Sequence, residues 1–397
     1  MPLLIRGLMV AQALALSAAP LMVLLGGLIG RQLHPDPRFA TLPVAAMICG
    51  AAVFAWPAAQ LARYLGRRRL FVVAMLCGAL FSLLASVSVS RAWFWGFTLS
   101  AFGIGAVGVV VQQFRFVAMA SVSADQAPVV AARLLLAGLV SAFLGPELTR
   151  LNDWLPSLGG GAAFAALIIC YLAAAGILLW LMPRSGQMDS RHHHEGRRWS
   201  ELLSQPALPL AMVSAACGYG VMAYIMTATP LSMTQGAGYD LSAAKWVIQS
   251  HIVAMFLPSL ISGQLIRRLG HWRMIFTGML IMLLCILIAW WDQTFVHYWL
   301  GLVLLGLGWN LLFVAGTALL SRCYQTEEAG RVEGINDLAV FACQALGALA
   351  SGAVVLVLGW QGMLLTTLPA LLLLLMMLLR TPRRGVSGGG LASVRES

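Results

Sequence analysis

Four side chains hold the chemistry most worth testing in this sequence: Met222 and Met226, spaced M-x-x-x-M, and His251 and Met255, spaced H-x-x-x-M. A spacing of four puts each pair on one face of a helix. A short polar turn, 235–242, centred on Gly238, joins the two segments. The helices therefore run antiparallel, with Met222 level with Met255 and Met226 level with His251. If the faces meet, three thioethers and one imidazole converge, a donor set that favours Cu(I) over hard cations. Zinc prefers thiolate, imidazole or carboxylate, of which only one is present. Thioethers bind without losing a proton, and a site without thiolate holds its ion loosely enough to release it, as permeation requires. Methionine is also a common apolar filler, and a histidine in a membrane helix is often a structural hydrogen-bonding group. Two pairs at matched depth are harder to obtain from filler than either alone.

The elements that position these residues follow from composition. Of 397 residues, 60% are hydrophobic and 10% charged, a balance that belongs to a polytopic membrane protein. Twelve apolar runs of roughly 18–25 residues are each long enough to cross a bilayer, so the expected class is an all-α membrane protein with twelve transmembrane helices. The methionine pair falls in the seventh run, about 206–230, and the histidine pair in the eighth, about 243–266. The net charge of +11 is topological. With the N-terminus inside, only Arg31, Arg38, Arg91, Arg150 and Lys245 fall outside, and both termini lie in the cytoplasm. The lipid bilayer, not nucleic acid, is the partner this charge implies. The first run is too long for a signal-peptide core and is taken as retained. Seven cysteines sit singly with no C-x-x-C, so no disulfide framework is expected.

The chain repeats itself. Residues 59–69 and 263–273 align without gaps at an offset of 204, sharing Gln60/Gln264, Leu61/Leu265, Arg63/Arg267, Leu65/Leu269, Gly66/Gly270 and Arg69/Arg273. Two six-helix halves result: 1–183 and 206–380, with a cytoplasmic linker 184–205 and a tail 381–397. The linker holds His192 to His194, either a metal-sampling triplet or a solvated stretch. The same offset carries Met226 onto Met22 and His251 onto Met47, with Cys49 close by. These three form a candidate secondary metal station, or the methionines pack the interface of the first two spans.

Other functions find less support. Fourteen acidic residues lie in loops or at helix ends, and a mid-depth carboxylate of the kind that exporters of cationic drugs use is missing. The interior amides Gln12, Gln112, Gln113, Asn310 and Gln344 are scattered over several helices, too dispersed for a sugar site. No nucleotide loop and no Ser/His/Asp or Cys/His constellation supports an enzyme.

The twelve spans, the six-plus-six split and the basic loop after the second span resemble the major facilitator superfamily. Gly66, Arg67, Arg68 and Arg69 match that loop's signature, with Gly270 repeating it in the second half, while the family's Asp position is Arg63 or Arg267. The resemblance implies a fold that works by alternating access, with this loop as a conformational element. More narrowly, Met222-x-x-x-Met226 with His251-x-x-x-Met255 looks like the signature of the CcoA-type copper importers. That resemblance implies metal-binding roles for the four residues. It also implies copper import through the bacterial inner membrane for haem–copper cytochrome oxidase assembly, with a cytoplasmic copper chaperone as a receiving partner. Copper would be cargo, with no resident cofactor. Two rivals remain: a transporter of a small amphipathic organic solute, its methionines serving as lining, and a sensor or assembly factor that binds copper without moving it.

Overall fold

A chain this apolar must close its backbone hydrogen bonds within helices, because hydrocarbon offers none. The computed structural model describes residues 3–123, 127–158, 160–183, 197–325 and 328–381. In the first half, α1 (Leu3–Leu16) and α2 (Ala18–Leu33) form one crossing interrupted at Ser17, followed by α3 (Leu42–Leu65) and α4 (Arg67–Ser90). Next come α5 (Phe94–Gln112) with α6 (Phe114–Ala120), then α7 (Ala127–Glu147), the single turn α8 (Leu151–Trp154), and α9 (Ala162–Leu181). A short helix, α10 (Trp199–Leu203), lies in the stretch expected to link the halves. The second half comprises α11 (Ala207–Leu231), α12 (Leu241–Phe256), α13 (Ser259–Trp291), α14 (Phe295–Leu320), α15 (Ala329–Leu365) and α16 (Leu368–Arg380). Helices α13 and α15 each turn from one crossing to the next at a non-helical glycine, Gly270 and Gly359. The described residues are therefore all-helical and make twelve crossings in two sets of six. His192 to His194, and the tail beyond Thr381, lie outside the described residues.

The repeat read from the sequence recurs in the backbone. Gly66 (φ 75°, ψ 149°) and Gly270 (φ 76°, ψ 162°), 204 residues apart, take the same left-handed conformation, which a Cβ would strain. Deeper in the bundle, Gly105 of α5 lies directly against the carbonyl of Met47, and Gly306 of α14 against the carbonyl of His251. Met47 and His251 thus occupy equivalent positions in the two halves. Gly145 of α7 meets the carbonyl of Ser17, and Gly347 of α15 meets that of Gly220.

These equivalences explain how one end is sealed. At the end opposite Arg67–Arg69, Lys245 Nζ of α12 lies 2.9 Å from Glu147 Oε1 of α7, two residues past Gly145. Arg150 Nε holds the other carboxylate oxygen at 2.7 Å. At the position equivalent to Lys245, Thr41 donates to the carbonyl of Leu349, two residues past Gly347, at 3.3 Å, and accepts from Gly352 N at 3.3 Å. Each seal joins opposite halves, one by an ion pair and one by neutral hydrogen bonds.

The arginine-rich end carries a different device. Glu328, 1% exposed, accepts from Arg197 N (2.7 Å), Nε (2.9 Å) and Nη2 (2.7 Å), and from Gln325 N (2.9 Å). Arg331 donates to the Arg197 carbonyl and lies 5.0 Å over the Trp199 ring. The segment entering α10 is thereby tied to the α14–α15 connection. The Arg197 guanidinium holds the Glu328 carboxyl at about 2, well below its ordinary 4.5. A depressed folded pKa contributes stability in full above the unfolded value and loses it as pH falls through the folded one. Thermal midpoints of purified protein should therefore fall between about pH 5 and pH 2. Glu328→Gln should lower the midpoint at pH 7 and flatten part of that acid limb. An acid limb identical in the variant would contradict the assignment.

Candidate functional site

A cavity lies between the halves. Its wall is built from α1, α2, α3, α5 and α9 on one side and α11 and α15 on the other. Backbone-to-backbone contact of α3 with α5 leaves the glycine-rich face of α5, Gly105 and Gly108, as a flat floor. Three aromatic rings face the space: Tyr171, Tyr219 and Phe341. Tyr219 is held edge-on by Trp309 and Phe313, with centroids 5.0 Å away in each case, and those two rings stack on each other. Tyr171 rests on Gly78 of α4. Phe341 packs from α15 against the cluster of Val44, Ala45 and Ile48 on α3, so it spans the junction of the halves. Two amides complete the wall, Gln112 of α5 and Gln344 of α15. Among the described lining residues none is Asp, Glu, Lys, Arg or His.

The structure sorts the five interior amides. Gln12 donates to the Leu134 carbonyl at 3.2 Å. Asn310 repairs a break in the eighth crossing: Pro258 supplies no N–H there, and Asn310 Nδ2 reaches the Met255 carbonyl at 2.7 Å and Ser259 Oγ at 2.6 Å. Gln113 is half-buried beside Gln112 without lining the cavity. Gln112 and Gln344, which the sequence leaves scattered, share one cavity.

All four members of the methionine–histidine set are buried: Met222 1%, Met226 8%, His251 0% and Met255 7% exposed. Helices α11 and α12 make little contact with each other, and α14 packs closely against both. Both motifs turn towards α14. Ser214 and Gly218, on the stripe that continues to Met222, meet Leu312, and His251 Nδ1 donates to the Leu302 carbonyl at 2.7 Å. With Nδ1 so used, the lone pair falls on Nε2, which is buried and has no partner among the described residues. None of the four lines the central cavity. In the first half, Met47 lines it, Met22 is fully buried near Val44, and Cys49 is exposed. Two residues apart on one helix, Met47 and Cys49 point about 200° away from each other, so they are not brought together. Of the loop residues, Gly66 begins α4 and Arg68 Nη2 donates to the Leu179 carbonyl at 2.6 Å, while Arg67 is half-buried and Arg69 exposed.

Sequence spacing misses Tyr171, Tyr219 and Phe341, because aromatic residues in apolar spans carry no periodic mark. The one available signal is position: Tyr219 stands three residues before Met222, on the turn of α11 that faces the first half.

The family model for the Major Facilitator Superfamily matches residues 8–291 and 211–393. The chain is 32% identical over 356 residues to the riboflavin transporter RfnT of Brucella anthropi, covering 89% of each. It is 27% identical over 362 residues to the uncharacterised MFS-type transporter YdeG of Bacillus subtilis, covering 84% of this chain and 81% of that one. Among solved structures, a bacterial homologue of the human lysosomal transporter Spinster, inward-facing and unoccupied, superposes with a TM-score of 0.73 at 12% identity, covering 96% of this chain and 97% of that one.

Proposed function

The chain belongs to the major facilitator superfamily, a transporter rather than an enzyme, and we propose that it carries a small, neutral, amphipathic organic solute with a planar aromatic ring system, of the flavin class. The observation that carries this reading is the central cavity: aromatic faces from both halves, two amides and no Asp, Glu, Lys, Arg or His in the described lining. A charged cargo would enter such a wall without compensation, at a cost of several kcal/mol. A ring system gains about 0.5–1.5 kcal/mol per well-placed aromatic neighbour beyond simple burial. The likeness to a riboflavin transporter over most of both chains supports the same class. We place the protein in the bacterial inner membrane with its arginine-rich end in the cytoplasm, as the charge asymmetry implies. The end closed by Glu147–Lys245 and Thr41–Leu349 then faces outwards.

A second reading, copper import through Met222, Met226, His251 and Met255, rests on one observation. A histidine that donates Nδ1–H to a carbonyl and presents a buried, unpartnered Nε2 has the arrangement of a metal ligand with its orienting hydrogen bond in place. A cytoplasmic copper chaperone would then receive the ion. One experiment separates the readings. Riboflavin-auxotrophic bacteria expressing the chain should accumulate labelled riboflavin above cells with an empty vector, with unchanged copper content. Riboflavin at the empty-vector level, with copper accumulation that disappears in His251→Ala, would replace the first reading by the second.

A further inference from the structure

Gln112 and Gln344 differ from Gln12 and Asn310 in being uncommitted, and from Gln113 in lining the cavity. Neither side chain hydrogen-bonds to any described residue, and both line the cavity between the halves. Elsewhere the fold uses its amides: Gln12 on Leu134, Asn310 on Met255 and Ser259. A primary amide left open in a mostly apolar wall offers two N–H donors and one carbonyl acceptor. It leaves those groups unsatisfied whenever a purely apolar cargo fills the space. Asp, Glu, Lys, Arg and His are absent from the described lining, so polar selectivity falls to the two amides and the hydroxyls of Tyr171 and Tyr219, and of these only an amide carries N–H donors and a carbonyl acceptor together. One belongs to α5 in the first half and the other to α15 in the second, so a cargo that engages both bridges the two bodies that must move.

We infer that Gln112 and Gln344 are the specificity-determining pair of the cavity and that they read a cyclic imide edge, carbonyl–N–H–carbonyl, on the planar ring of the cargo. The inference rests on the flavin-class reading above. A primary amide fits such an edge because its N–H can meet a ring carbonyl while its carbonyl accepts from the ring N–H. Aromatic residues at Tyr219 and Phe341 then hold the ring faces and supply affinity without discriminating among edges. This division of labour predicts selectivity against molecules that keep the ring and lose the N–H.

Riboflavin and N3-methylriboflavin make the test, since methylation removes the one ring N–H and leaves the ring stack. Uptake of each is measured as kcat/KM in cells expressing the wild type, Gln112→Leu, Gln344→Leu and Phe341→Ala, normalised to folded protein by fluorescence-detected size exclusion. The wild type should favour riboflavin by at least about 10-fold, the scale set by a buried polar partner left unmade. Each leucine variant should bring riboflavin down towards the methylated analogue and pull the ratio towards one. Phe341→Ala should lower both substrates and keep the ratio, which a merely structural defect in the leucine variants would also do. If a leucine variant does not fold, Gln344→Met and Gln112→Met keep the side-chain length and replace it in the comparison. A wild type that carries both compounds equally, or leucine variants that keep the wild-type ratio, would overturn imide recognition and leave flavin-class transport standing. A wild type that carries neither would remove both.

Discussion

Gly105→Ala should eliminate most folded protein, whereas Gly306→Ala, its equivalent in the second half, should leave a weakened but measurable population. A Cβ at Gly105 would fall on the carbonyl oxygen of Met47, well inside van der Waals contact, with the Met47 carbonyl carbon also close. Those are backbone atoms of a neighbouring helix, so no rotamer change relieves the clash and α3 must move away from α5. Gly50 makes the reciprocal approach, lying against the carbonyl of Phe102, and the two helices are locked at short range over a full turn. At Gly306 the nearest atom is the His251 carbonyl oxygen at 2.6 Å, a smaller intrusion. Overpacking typically costs about 1–3 kcal/mol and more where the opposing atoms cannot yield. The measurement is the monodisperse fraction after detergent extraction, with a thermal midpoint for what survives. Wild-type yield and midpoint in Gly105→Ala would show that the close approach is not a requirement of the fold. The cavity depends on the same contact, because Met47 and Gly105 both belong to its wall.

Glu147→Gln should open the sealed end. The substitution leaves Lys245, whose side chain is 8% exposed, charged beside a neutral amide. Removing one partner of a buried ion pair costs about 3–5 kcal/mol. Glu147 is 36% exposed and also bound by Arg150, so solvent screening reduces the expected penalty to about 1–2 kcal/mol, roughly a tenfold change in population. The closed form bears that penalty, because Lys245 regains water when the end opens. In a chain freed of its cysteines and carrying Met47→Cys, a position that lines the cavity, an impermeant maleimide added on the Glu147 side should react about tenfold faster in Glu147→Gln. The double variant Glu147→Gln/Lys245→Met should restore slow labelling, since replacing both charges removes the stranded one. Equal rates in wild type and Glu147→Gln would show that the ion pair does not hold the end shut. The equivalent seal at Thr41 carries no charge, so Thr41→Val should respond far less.

Much of the fold is legible in the sequence because it rests on features that act locally. Long apolar runs must be helices in hydrocarbon. The 204-residue offset between Gly66 and Gly270 reports a turn that only glycine makes easily. The same offset makes Met47 the counterpart of His251, and the carbonyl of each meets a glycine on a neighbouring helix of its own half. What sequence could not supply is which face of each helix turns inwards. The M-x-x-x-M and H-x-x-x-M motifs are genuine one-face pairs, yet depth and spacing say nothing about which helix packs against them, and α14 packs closely against both of theirs. Cys49 and Met47 differ for the same kind of reason, near in sequence and far apart around the helix, one exposed and the other lining the cavity. Gln112 and Gln344 were visible as polar residues in apolar spans, but their convergence depends on the docking of two halves, which no local pattern encodes. The aromatic wall was the least legible part: a tyrosine in a membrane helix fits packing, interface anchoring and ligand contact equally well.

The most direct measurement is counterflow in liposomes. Purified protein reconstituted into vesicles preloaded with unlabelled riboflavin should concentrate labelled riboflavin from outside, transiently and in either membrane orientation. Cargo exchange of this kind needs neither a coupling ion nor a known direction. Counterflow should fall about 10-fold or more in Phe341→Ala, through loss of the ring contact, and should be unaffected by a copper chelator. Absence of counterflow in vesicles containing folded wild-type protein, or counterflow that requires copper, would contradict flavin-class transport.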